Sequence, residues 1–134
     1  DQLLPVVGPA HPLAGRQGLS MAELQAHELY LREAGSGARA SIEQAYRKHG
    51  LGARAAMIGG GTEPLKRLIA GGRGIAWLSQ LVVEEELADG RLVQLDVRDL
   101  QIERDLHVLW RLGSRLNPAP AAFLQMIDSN IKTF

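Results

Sequence analysis

The sequence contains no cysteine. That absence removes disulfides, thiolate nucleophiles and cysteine metal ligands together. It fits a reducing compartment, and a cytoplasmic location is expected. Aromatic residues are scarce, at 4% of the chain. Proteins that hold single strands by stacking bases need aromatic platforms, so that class loses ground. Neither sign of charge is in excess, because 15 Lys and Arg balance 15 Asp and Glu. A self-contained nucleic-acid-binding domain usually shows a basic excess or stripe, which argues against direct DNA or RNA binding by this chain. No apolar run approaches the roughly 20 residues of a membrane span. The opening Asp1-Gln2-Leu3-Leu4-Pro5 lacks the basic stretch of a secretion signal. No membrane partner is expected.

What is present fits one globular domain. The 134 residues are 46% hydrophobic and 22% charged, enough to bury a core. Leu3 to Val7 reads as a buried strand ended by Gly8-Pro9. Ser20-Met21-Ala22-Glu23 has capping-box spacing and opens a short helix. Glu28 to Arg32 alternates, with Leu29 and Leu31 on one face and Tyr30 on the other, and predicts a strand. Ile42, Ala45 and Tyr46 repeat at helical spacing, with Gly50 and Gly52 as stops. Ala53 to Ile58 predicts a strand, and Leu65, Leu68 and Ile69 form the apolar face of a helix. Gly74 to Leu78 predicts a strand, Leu81 to Ala88 a helix, and Leu92 to Val97 and Leu106 to Leu112 two further strands. Asn117-Pro118 opens a last helix with Phe123, Met126, Ile127 and Ile131 on one stripe. Strands alternating with helices predict an α/β fold, Rossmann-like, with a mostly parallel sheet flanked by helices.

Two glycine-rich breaks, Gly35-Ser36-Gly37 and Gly59-Gly60-Gly61-Thr62, each fall where a strand ends and a helix begins. A helix N-terminus leaves backbone N–H groups unpaired and partly positive. Glycine lets a ligand approach that backbone closely. In open α/β sheets ligands bind at the carboxyl ends of strands. Gly35, Ser36, Gly37, Gly60, Gly61 and Thr62 are therefore candidates to cradle a carboxylate or similar anion. The competing reading is ordinary tight turns and caps. Neither break has the P-loop or the dinucleotide-binding spacing. Arg32-Glu33 and Arg39 flank the first break, either to recognise a carboxylate or as an internal ion pair that fixes the loop. Four histidines, His11, His27, His49 and His107, show no metal-ligand spacing. Glu84-Glu85-Glu86 reads as a solvated helix face. No catalytic group, metal site or cofactor is expected.

Taken together, these segments resemble the effector-binding domain of LysR-type transcriptional regulators. The likeness rests on Leu3 to Val7 followed by His11-Pro12-Leu13-Ala14, on Arg32 to Arg39 opening a helix, and on Leu65 to Ala76 as helix, glycine turn and strand. Glu86 to Val93 and Asn117 to Phe123 complete it in the same order. The resemblance implies a type II periplasmic-binding-protein-like fold of two subdomains joined by crossover strands. A small molecule binds between them and shifts a DNA-bound oligomer. It implies that residues 1–9 are a crossover strand from a truncated first subdomain and that 10–112 form the complete second subdomain. Residues 113–134 are then a helix of the first, and the winged helix-turn-helix is absent, so DNA is a partner only through that segment. Carried over by position, effector contacts fall at Gly35 to Gly37, at Gly60 to Thr62, and at Leu78 and Ser79. The run Gly59-Gly60-Gly61 departs from the family pattern, where bulkier or hydroxylated residues are commoner. A homo-oligomer is expected, with Phe123, Met126 and Ile127 covered by another chain. Two further functions fit the same fold: a solute-binding protein of a transporter, and an enzyme whose acid, base or metal groups converge only in three dimensions.

Overall fold

The structure is a computed structural model, and it describes residues 1–109 and 118–127. The elements follow in the order β1 (Gln2–Val7), α1 (Met21–Gln25), β2 (Leu29–Arg32), α2 (Gly37–Lys48), β3 (Ala55–Gly59), α3 (Thr62–Ala70), β4 (Ile75–Ser79), α4 (Gln80–Ala88), β5 (Val93–Gln94), β6 (Ile102–Glu103) and α5 (Pro118–Ile127). One sheet runs in the order β3-β2-β4-β1-β5, and β6 also pairs with β1.

The period-two pattern of the strands divides the core between the two faces of this sheet. Leu3 and Val7, Leu29 and Leu31, and Ile75 and Trp77 point to one face, where α2 adds Ile42 and Tyr46 one helical turn apart. Leu4 and Val6, Tyr30, and Ala76 and Leu78 point to the other, where α3 adds Leu65 and Ile69 and α4 adds Val83. Each large side chain buried this way is worth roughly 1.5–3 kcal/mol. On the first face the Trp77 indole N–H donates to the Tyr46 hydroxyl at 3.1 Å, and the two rings meet edge to face at 6.5 Å. That hydrogen bond offsets the cost of burying two polar tips. Burial also raises the Tyr46 hydroxyl pKa above its ordinary value.

The α/β class holds, but the sheet is mixed rather than mostly parallel. β2 runs parallel to β3 and β4, whereas β1 is antiparallel to β4, β5 and β6. Strand direction leaves no mark on the period-two pattern, so the alternation of element types did not reveal it.

The expected strand at Leu92 to Val97 shortens to Val93–Gln94. Leu95 donates its N–H to the Pro5 carbonyl at 2.8 Å, and proline has no N–H to return the bond. The chain then leaves β1 and is held by the loop leading into α1 and by the first residue of α1. Asp99 accepts from the Met21 N–H at 3.0 Å, and Asp96 accepts from the Gly18 N–H at 2.8 Å. The chain rejoins β1 at Ile102–Glu103. The strand expected at Leu106 to Leu112 is not formed over 106–109, where Leu106 and Leu109 are exposed, and 110–112 lie outside the described residues.

α1 carries the expected capping box from Ser20 to Glu23. Glu86 corrects the reading of its acidic run, because it is buried against α3. Lys66 pairs with Glu86 at 2.7 Å and with Glu63 at 2.8 Å, and donates to the Val82 carbonyl at 2.9 Å. That lysine bond chiefly lowers the Glu86 pKa. In α5, Phe123 and Met126 are exposed, while Asn117 and Ile131 lie outside the described residues. No described helix is long and apolar enough to cross a membrane.

Candidate functional site

A cleft of about 530 Å³ opens at the carboxyl ends of β2 and β4, a size that suits a small ligand. Its rim carries the first residues of three helices: Gly37 and Ala38 of α2, Thr62 of α3, and Leu81 and Val82 of α4. Each start offers unpaired N–H groups and a partial positive charge. The antiparallel direction of β1 adds two more groups. Leu3 pairs with Ser79 and Gln2 with Glu103, so Asp1 and Arg104 arrive at the same edge and line the cleft.

Two arginines face this space, each held by a carboxylate. Arg32 grips Glu33 with Nε at 2.8 Å and Nη2 at 2.7 Å. Its remaining nitrogen donates to the Thr62 hydroxyl at 2.8 Å, which ties the loop after β2 to the start of α3. The guanidinium bond holds the Glu33 carboxyl down to about 2, and the same bond raises the Arg32 pKa above its usual value. Arg39 donates to the Arg32 carbonyl at 3.2 Å and pairs with Glu43 within α2, so ion pairs form on both sides of this loop while Arg32 still lines the cleft. Elsewhere on the rim Arg104 binds Asp1 through Nε at 2.7 Å, and the Ser79 hydroxyl donates to the same carboxylate at 2.7 Å.

Of the residues singled out from sequence, Gly35, Ser36, Gly37, Thr62, Leu78 and Ser79 line this one cleft. Gly60 and Gly61 do not. Gly61 is the N-cap of α3 at φ 151° and ψ 169°, and its role is to turn the chain. Ser36 is the N-cap of α2 but makes no side-chain cap bond, which leaves its hydroxyl to the cleft. Asp1, Arg104 and Trp77 were not anticipated, because nothing local marks them. The β1 register alone brings in Asp1 and Arg104, whereas Trp77 stands on β4 itself. A second hollow, about 330 Å³, lies between Gln2–Pro5 and 94–101. Its one charged lining residue is Asp96, so it offers nothing to an anion. Among the described residues no group of His, Asp or Glu could hold a metal ion.

Fold and cleft together define a type II periplasmic-binding-protein-like sensing domain. The comparison with known families is specific: residues 1–131 match the LysR substrate binding domain. The chain belongs to that family, the ligand-binding regulatory domain of LysR-type regulators. It is 34% identical over 129 residues to a RuBisCO operon transcriptional regulator of Allochromatium vinosum, covering 96% of this chain and 43% of the relative. It is 35% identical over 117 residues to the RuBisCO operon transcriptional regulator of Acidithiobacillus ferrooxidans, covering 87% of this chain and 38% of the relative. These relatives are transcriptional regulators, not enzymes, and the chain spans less than half their length. Among solved structures it resembles the Synechocystis PCC6803 CcmR regulatory domain in complex with 2-PG, with a TM-score of 0.78 and 28% identity over 96% of this chain and 62% of that one.

Proposed function

We propose that this chain senses a small anionic effector in the cleft at the ends of β2 and β4, and passes that state to the DNA-bound oligomer of a longer regulator. The observation that carries the reading is the convergence of two arginines on one rim formed by three helix starts. Residues 10–112 supply one wall in this reading. Residues 1–9 are a crossover strand, and 113–134 belong with the opposite wall. DNA is contacted by a separate winged helix-turn-helix, and the protein works in the cytoplasm. The likeness to RuBisCO operon regulators favours this reading over a transporter's solute-binding protein.

2-PG, the ligand of the similar CcmR domain, is the first probe. Calorimetric titration should show saturable binding, and Arg32→Gln should weaken it roughly tenfold, as loss of a charged hydrogen-bond donor does. Absence of binding, or an unaffected Arg32→Gln, would overturn the proposal. We further infer that the exposed Phe123 and Met126 of α5, with Ile127, are covered by another copy of the chain. Light scattering should then show association that Phe123→Ala with Met126→Ala weakens. A monomer at every concentration would rule that out.

A further inference from the structure

Asp1 contributes a carboxylate to the cleft, yet its side chain is 0% exposed. Its oxygens are spent on groups that an incoming anion would want. One accepts from the Ser79 hydroxyl at 2.7 Å. The other accepts from Arg104 Nε at 2.7 Å and Nη2 at 2.6 Å. Ser79 is also the N-cap of α4 and makes no side-chain cap bond there, so its hydroxyl serves Asp1. A hydroxyl and a guanidinium converging on one point form a receptor for a carboxylate or phosphate oxygen. In this structure the chain's own carboxylate fills it.

We propose that Asp1 is an internal stand-in for the effector, and that the effector's anionic group displaces it from Ser79 and Arg104. This rests on the anion-sensing reading above and specifies its regulation. Two anions within a few ångströms disfavour one another, so an effector that reaches Arg104 must turn the Asp1 carboxylate out. The backbone need not move with it, because the Arg104 N–H holds the Asp1 carbonyl at 2.9 Å. The released side chain belongs to the residue directly before β1, which pairs with β4, β5 and β6. Occupancy of the cleft is thereby reported to the strand that joins most of the sheet. The second arginine is arranged differently. Its partner Glu33 keeps 42% of its side chain exposed and lies next to it in sequence, so that pair persists beside a ligand without having to open.

The test is calorimetric titration of 2-PG and of inorganic phosphate into the wild-type chain and Asp1→Asn, each also in an Arg104→Gln background. Asparagine is nearly isosteric and keeps an oxygen for Ser79, while the competing charge is gone. Asp1→Asn should bind tighter by roughly fivefold or more, within the usual range of coupling between linked sites. The gain should vanish in the Arg104→Gln background. A gain that survives Arg104→Gln comes from the general field of the carboxylate and overturns displacement. Equal or weaker binding by Asp1→Asn, with wild type binding normally, overturns it while leaving the anion-sensing reading intact. Silence from wild type and Asp1→Asn alike overturns both. A measurement on the unsubstituted chain stands beside these: the ¹³C resonance of the Asp1 carboxyl should shift on saturation with 2-PG. A resonance that stays put while 2-PG binds also overturns displacement.

Discussion

The turns after β2 and β3 both lead from a parallel strand into a helix, and both are rich in glycine. Their glycines share one task and differ in another. In the first turn, a Cβ added at Gly37 would meet nothing within 4 Å, and Gly35, Ser36 and Gly37 all face the cleft. Openness there leaves the start of α2 accessible. In the second, Gly61 stands at φ 151° and ψ 169°, a region essentially closed to other residues, and only Thr62 reaches the cleft. Both turns need one glycine for backbone, Gly35 at φ 89° and Gly61 at φ 151°, and the first adds an open glycine, Gly37, that faces the cleft. The Arg32 side chain joins them through Thr62.

The largest effect that would break this contrast comes from Gly61→Ala. Its added Cβ meets Pro64 Cδ at an ordinary 3.6 Å, so backbone strain alone should cost about 1–3 kcal/mol. The measurement is the urea midpoint at unchanged m. A loss within the roughly 0.5 kcal/mol of an ordinary surface change would show that the turn relaxes freely. Next comes Thr62→Val, which deletes the acceptor for Arg32 and should cost about 1 kcal/mol. It should also weaken 2-PG binding, because Arg32 loses its fixed direction. Equal binding would mean that the link between the turns is incidental.

Gly37→Ala should go the other way. Its conformation suits alanine, so unfolding should become harder by about 0.4–1 kcal/mol, while any ligand approaching the α2 backbone meets a methyl group. Stabilisation with undiminished binding would remove Gly37 from the site. The smallest effect is in acid. The Glu33 carboxyl drops from its ordinary 4.5 to about 2 in the folded chain. A depressed acid contributes stability above its unfolded pKa, and that contribution is lost as pH falls through the folded value. The Arg32 clamp should therefore weaken between pH 4.5 and about 2, and Glu33→Gln should flatten that part of the stability profile. An unchanged slope in Glu33→Gln would assign the acid response to other carboxylates.

Much of the fold was legible because its signals are local. The alternation of Leu29, Tyr30 and Leu31 read correctly onto two faces, since side-chain direction in a strand follows position alone. The Ser20 to Glu23 spacing became the capping box it resembles. The misses are cases where partner and environment decided. Glu86 looks like its neighbours Glu84 and Glu85 until Lys66 comes across from α3 to pair with it. Leu106 to Leu109 has the composition of a strand, but no neighbouring strand pairs with it among the described residues.

The sequence by itself determined the α/β class and the helix starts at both glycine-rich turns, because periodicity, caps and spacing act over a few residues, and its ordered segments carried the resemblance to the LysR family that the family match bears out. Tertiary structure alone decided that β1 runs against β4, and so that Asp1 and Arg104 stand in the cleft with Ser79. Direction and register are agreements between distant segments, and no single segment contains them. That same pairing added the buried Arg104–Asp1 pair to the more exposed Arg32–Glu33 pair, which is adjacent in sequence.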